Sequence, residues 1–320
     1  MTKLQSGERE RLLRLGKKTG SVLFRIFRVY LILALSFVVL YPIFYLISMS
    51  FRPVEEFTNP SIIWVPETWT LDILKKAWEA VDFPVSLRNT VIFALSNTVF
   101  SILPCCLAGY GFARFQFKGK RLLFVCLIIS IIVPAQTIIV PLYVRMRYFD
   151  FFFLGQLGRL FTGAPFTVKL LDSYGAMWFL SLLGNGLRGG MFIFIFRQFF
   201  TSMPQDLEDA AYVDGAGFFS TFLRVIVPCA SAPFLVVFIL SLIWHWNDTF
   251  MSTLLDSSRT TLAFAIQNLT QSSGVGANSD VYTLLQTRLA SCIYLITPLL
   301  IVYLFLQKYF IQSIDRTGLK

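Results

Sequence analysis

Four carboxylates, Asp206, Glu208, Asp209 and Asp214, crowd one polar stretch bounded by Ser202 and Pro228. Side chains at that density can pair with the cations of a partner surface. The small residues among them, Ala210, Ala211 and Gly215, let another backbone come close. A second set lies inside apolar stretches: Asn97, Gln136, Asn247, Asp248 and Arg288, with Trp246 beside the pair at 247–248. Polar groups at membrane depth are costly and mark pathways or helix-pairing contacts. Either these side chains line a pathway, or Asn247 and Asp248 pair helices and cap a local break. His245 reads as a packed residue more than a base. No nucleophile stands with a base, and no carboxylate pair has a catalytic spacing, so no catalytic residue is assigned. Gly16-Lys17-Lys18-Thr19 lacks the glycine five positions earlier that a phosphate-cradling loop needs. The cysteines, Cys105, Cys106, Cys126, Cys229 and Cys292, have no C-x-x-C spacing and no nearby His, so they read as apolar packing residues and no metal is expected.

The elements that must hold these residues follow from composition. Of 320 residues, 56% are apolar and only 14% charged, and 34 are Phe. A soluble core of this length would leave large apolar patches exposed. Several nearly uncharged stretches also reach the roughly 20 residues that span a bilayer. A soluble enzyme is excluded, and an all-α, polytopic membrane protein is implied. The formal charge of +10 is no sign of nucleic-acid binding. Its largest share, Lys3, Arg9, Arg11, Arg14, Lys17, Lys18, Arg25 and Arg28, precedes the first apolar stretch, which places a basic segment 1–28 on the cytoplasmic side. A cleaved signal peptide is not expected, because the apolar run continues into a full span.

Six spans are expected within 29–310, at 29–51, 88–112, 122–144, 176–200, 232–254 and 283–307, followed by a cytoplasmic tail, 311–320. The third is interrupted at Pro134-Ala135-Gln136 and again at Pro141. Broken backbone at that depth needs protein or a water-filled cavity to satisfy it. Gly184, Gly186, Gly189 and Gly190 allow close packing or a break in the fourth. An amphipathic piece, Leu71–Val81, belongs to the outer side, and Phe192, Phe194 and Phe196 read as lipid or subunit contacts. A long outer segment runs near 150–170, and a Ser/Asn/Gly-rich outer loop joins spans five and six. Both termini fall on the cytoplasmic side, where Lys308, Arg316 and Lys320 lie.

Segment 202–228 reads as a helix–turn–helix. Ser202 or a neighbour caps the first helix, Pro204 suits its first turn, and the acids complement its dipole. Asp214-Gly215 ends that helix and Pro228 closes the second. An acidic loop on the cytoplasmic side departs from the positive-inside trend and favours a protein partner over lipid.

The spacing of Asp209-Ala210-Ala211, Gly215 and Val225-Ile226-Val227-Pro228 resembles the EAA loop of ABC importer permeases, with Asp209 in place of Glu. Ala108-Gly109-Tyr110-Gly111-Phe112-Ala113-Arg114-Phe115, Val133-Pro134, Ile139-Val140-Pro141-Leu142-Tyr143, Arg197-Gln198-Phe199-Phe200, Trp246-Asn247-Asp248 and Gln307-Lys308-Tyr309-Phe310 are similar to the carbohydrate, maltose-permease-like branch. The resemblance covers roughly residues 20–320 and implies the fold of a type I ABC importer permease in a prokaryotic cytoplasmic membrane. It implies a non-enzymatic subunit that works with a second permease (a heterodimer), two ATPase subunits holding the ATP and Mg, and an extracytoplasmic solute-binding protein. Glu208, Asp209, Ala210, Ala211, Asp214, Gly215 and Pro228 would couple it to the ATPase. Asn97, Gln136, Trp246, Asn247, Asp248 and Arg288 would line the path of a sugar or oligosaccharide. The alternatives are the same machine for another solute, or a secondary transporter or channel without an ATPase.

Overall fold

The computed structural model describes residues 3–57, 59, 61, 64–150, 155, 159, 163, 165–269 and 281–318. Part of the outer loop expected between spans five and six, residues 270–280, falls outside them, as does much of 151–164. The described chain is helical, with one isolated antiparallel bridge, Phe149 to Val168. Among the described residues, three helices are each long and apolar enough to cross a membrane, within Leu23–Ser50, Phe83–Arg114 and Val281–Tyr309. Two bent pairs raise the number to five if each is one span.

The chain divides into two units, residues 1–76 with 280–293, and 77–279 with 294–320. In the first, helix α1 (Lys3–Ser50) runs unbroken through the basic stretch and the first span. Near its end Gln286 Nε2 donates to one of its last carbonyls, Met49 O (3.3 Å), and to Arg52 O (3.1 Å) just beyond it. After α1 the Glu56 carboxylate gathers the Thr68 hydroxyl and the N–H groups of Thr68 and Glu67, and the hydroxyl bond above all holds its carboxyl below the usual range, against the opposing effect of burial. Trp64 lies edge-on to Tyr41 of α1, 4.9 Å between centroids.

Helix α2 (Asp72–Ala80) is the amphipathic piece the sequence implies, with Ile73, Ala77 and the following Val81 buried.

The second unit is organised on helix α3 (Phe83–Arg114). Its buried face repeats at helical spacing through Ser86, Asn89, Thr90, Phe93, Asn97, Ser101, Cys105 and Gly109, so small and polar groups meet its neighbours. Helix α4 (Lys120–Ile132) follows, then a break at Val133-Pro134, a 3₁₀ turn (Ala135–Ile138) and helix α5 (Ile139–Arg147). The two flanks of the break diverge by 99°. The interruption expected at Pro134 is present, whereas Pro141 interrupts nothing: it sits in the first turn of α5, where no helical acceptor awaits its missing N–H. The long outer segment is closed at its stem, where Phe149 and Val168 exchange backbone hydrogen bonds of 3.1 and 2.8 Å.

The stretch expected as the fourth span is two helices, α6 (Tyr174–Leu182) and α7 (Gly189–Ser202). Between them Gly184 takes φ +70°. Phe192 and Phe196 are neither lipid nor subunit contacts but fully buried core of this chain, together with Phe200, Cys105, Cys106 and Tyr110. The reason is Gly109: a Cβ there would sit 2.6 Å from Phe196 Cβ, so α3 and α7 touch backbone to side chain. Phe194, off that face, stacks with Phe124. Cys126 and Cys229 are exposed and Cys292 half-buried, so the packing role fits Cys105 and Cys106 alone.

Candidate functional site

Segment 202–228 forms the helix–turn–helix its spacing implies, with changed details at each end. Ser202 caps nothing; its hydroxyl donates to Phe199 O (2.8 Å), because extended Met203 and Pro204 separate it from the next helix. Helix α8 (Asp206–Val213) begins after Gln205 without a side-chain cap, with Asp206, Glu208 and Asp209 in its first turn. It ends as expected. Gly215 N–H bonds to Tyr212 O and Ala216 N–H to Ala211 O, both at 3.0 Å, and Gly215 has φ +83°. That pairing of carbonyls with a left-handed residue is a Schellman ending, which favours glycine.

Helix α9 (Phe218–Thr221) passes into a π turn, Phe222–Ile226, in which Val227 N–H reaches back to Phe222 O, and then into a last turn, Val227–Cys229. Pro228 therefore does not close the helix. It lies inside that turn, and the widened turn just before it takes up the geometry a proline imposes. The 73° bend comes next, before helix α10 (Ser231–Trp246).

The inner side of the loop is anchored. Arg114 at the end of α3 donates from Nε to Glu208 Oε1 (2.6 Å) and from Nη2 to Met203 O (2.8 Å). Tyr110 OH donates to Glu208 Oε2 (3.2 Å). Tyr110 also packs against Phe200 and Phe222, with centroids 5.4 and 4.9 Å away. Ala211 faces this interior. Glu208 is thus an internal group, not one offered to a partner, and neither Tyr110 nor Arg114 receives a role from spacing alone.

The outer side carries Asp206, Asp209, Ala210, Asp214 and Gly215. It also exposes apolar residues the acid pattern does not flag: Val213 (87%), Phe219 (74%) and Leu223 (57%). Apolar side chains so exposed beside carboxylates form a surface suited to a protein partner. Glu208 and Arg114 tie α8 to α3, against which α6, α7 and α10 pack.

The intramembrane polar residues fall into two groups. Asn97 is buried and satisfied, donating to Phe93 O and accepting from Ser181 Oγ, each at 2.8 Å, which ties α3 to α6. Trp246 Nε1 donates to Leu295 O (3.0 Å). Asp248 accepts the N–H groups of Met251 (3.2 Å) and Ser252 (2.6 Å), starting helix α11 (Met251–Leu255). The helix expected over 232–254 accordingly stops at Trp246. Buried His245 packs edge-on to Phe93 and bonds Ser241. Gln136 in the α4–α5 break and Asn247 in the break after α10 are exposed. Arg288, in the first unit, is half-buried on helix α12 (Val281–Gly318). Among the described residues of the second unit, Asn97, Gln136, Trp246, Asn247 and Asp248 are not hydrogen-bonded to one another.

Residues 106–316 match the family described as the binding-protein-dependent transport system inner membrane component, more than half of the chain. The chain belongs to this family. The matched segment contains Tyr110, Arg114 and the whole of 202–228, so the anchored loop lies within the family's shared portion. Among its relatives is the arabinooligosaccharides transport system permease protein AraQ of Bacillus subtilis (strain 168), 26% identical over 93% of this chain and 97% of that protein. Another is the diacetylchitobiose uptake system permease protein NgcG of Streptomyces coelicolor, 25% identical over 89% and 86% respectively. In structure it is similar to a chain of a bacterial ABC transporter involved in the import of the acidic polysaccharide alginate. The TM-score is 0.67 at 21% identity, over 90% of this chain and 96% of the other. The fold is that of a type I ABC importer permease, and the chain is a multi-pass membrane subunit of such an importer.

Proposed function

We propose that this permease carries a sugar or oligosaccharide, paired with a second, different permease chain. Two ATP-hydrolysing subunits, which hold the ATP and Mg, dock on 202–228, and an extracytoplasmic binding protein delivers the solute. Both termini and the loop then face the cytoplasm. The observation that carries the docking role is the two-sided loop: Glu208 and Arg114 fix its inner side while Asp209, Val213 and Phe219 stand free on its outer side. The sugar reading is supported by relatives named for arabinooligosaccharides, diacetylchitobiose and maltodextrin. Among the intramembrane candidates, Gln136 and Asn247 suit the pathway best, because they are exposed at helix breaks while Asn97, Trp246 and Asp248 are occupied holding helices.

Closure of the ATPase pair would move α8, and α3 would follow through the buried ion pair, switching the bundle between its two openings. The test is to tag the chain in its native cell, extract it in mild detergent and identify what copurifies. An ATPase and a second permease are expected with wild type. Val213→Asp with Phe219→Asp should lose the ATPase and keep the second permease. A homo-oligomer without ATPase would instead indicate a carrier or channel. Uptake of labelled sugars against amino acids, with the genomic binding protein present, tests the solute class.

A further inference from the structure

Near the loop end of the second unit lies a cavity of about 470 Å³ that the coupling role does not use. Its lining includes Lys120, Arg121 and Arg197, with Phe112 and Phe124 as aromatic walls, and no acidic residue borders it. Among the described residues none of these three cations has a carboxylate partner. Lys120 Nζ is held only by a neutral oxygen, Phe115 O, at 2.8 Å. The Arg197 guanidinium lies over the Phe124 ring, 4.1 Å from its centroid, and its Nε is buried without a hydrogen-bond acceptor. A buried donor left unpaired calls for an acceptor. Gly119 precedes α4 and gives its first turn no side-chain cap, while the opening N–H, that of Lys120, bonds to Phe117 O (3.3 Å).

Two observations say which anion belongs there. The cavity is at the level of the coupling loop, since Phe112 is two residues before Arg114 and Arg197 is one turn before Ser202. Immediately beyond Arg121, α4 becomes an outward apolar surface: Leu122, Leu123, Val125, Ile129 and Ile132 are all exposed, as a lipid-facing helix requires. The cations therefore sit where headgroups meet acyl chains, and the aromatic walls continue toward the apolar face. Basic pockets at this depth select anionic headgroups. We propose that Lys120, Arg121 and Arg197 form a binding site for the phosphate-bearing headgroup of an anionic phospholipid.

The test uses the full-length chain in its purified complex, exchanged into an equal mixture of phosphatidylglycerol and phosphatidylethanolamine. Retained lipid is then counted by native mass spectrometry. Wild type should retain phosphatidylglycerol over phosphatidylethanolamine by roughly tenfold. Arg121→Gln with Arg197→Gln should abolish the preference, Arg197→Lys should keep most of it, and millimolar inorganic phosphate should leave it unchanged. If the double variant does not assemble, Lys120→Gln must lower the preference by itself. Equal retention of the two lipids by wild type, an undiminished preference in these charge-removing variants, or displacement by inorganic phosphate would each overturn the proposal.

Discussion

Arg114 Nε and Glu208 Oε1 lie 2.6 Å apart, although 94 residues separate them in the chain, and both side chains are about nine-tenths buried. Removing one partner leaves the other charge desolvated, which costs about 3–5 kcal/mol. Arg114→Gln and Glu208→Gln should each lower the unfolding temperature of the purified complex and reduce uptake. The double substitution should be less damaging than the sum of the two, because it leaves no charge stranded. Strict additivity in thermal unfolding would mean that the two groups do not act on each other.

Gly215 makes a different demand. It has φ +83°, and nothing lies within 4 Å of where a Cβ would be, so space is not the constraint. Gly215→Val should cost about 1–2 kcal/mol through backbone strain, and Gly215→Asn less, since Asn tolerates the left-handed region. Uptake should fall in that same order, with ATPase capture retained in the Asn variant. Equal loss in both would instead indicate that a partner surface sits against the glycine.

At Gly109 space is the constraint. Phe196 Cβ and Arg197 N stand 2.6 and 2.9 Å from the Cβ position, and neither is the end of a flexible chain. Gly109→Ala should already force α3 and α7 apart, lowering membrane yield and thermal stability. Gly111→Ala, whose nearest neighbour is Phe115 Cδ2 at 3.8 Å, should be tolerated. Equal yields from the two variants would contradict the close approach.

The loop was legible because its signals are local: acids in a first turn, Gly after Asp214, and regular helix spacing. The break at Pro134 was legible for the same reason, since a proline acts on its own backbone. Contacts between distant segments left no such trace. In the sequence nothing separates Glu208 from the acids around it, and only the fold sets Arg114 beside it. Phe192 and Phe196 looked lipid-facing because an apolar face reads alike against lipid and against Gly109. Asp248 was open between pathway and cap because both roles need a carboxylate at a break, and only the N–H groups of Met251 and Ser252 decide it.

At the far end of α6, Asp172 holds two loops together. Its carboxylate accepts Lys169 Nζ (2.6 Å) and Ser257 Oγ (2.8 Å), and its N–H donates to Leu255 O (2.8 Å). The bond from Lys169, then that from Ser257, holds the carboxyl below its ordinary range. A depressed folded value means the charged form favours the native state. The contribution is complete above the unfolded carboxylate value, near 4, and disappears as the pH falls through the lower folded one. Asp172 has φ +61°, a conformation that Asn also accepts, so Asp172→Asn removes the charge with little backbone strain. The variant should unfold at a lower temperature than wild type at pH 7, and the gap should narrow as the pH is taken below about 4. A gap that stays constant across that range would assign the effect to the lost shape of the hydrogen bonds and not to the charge.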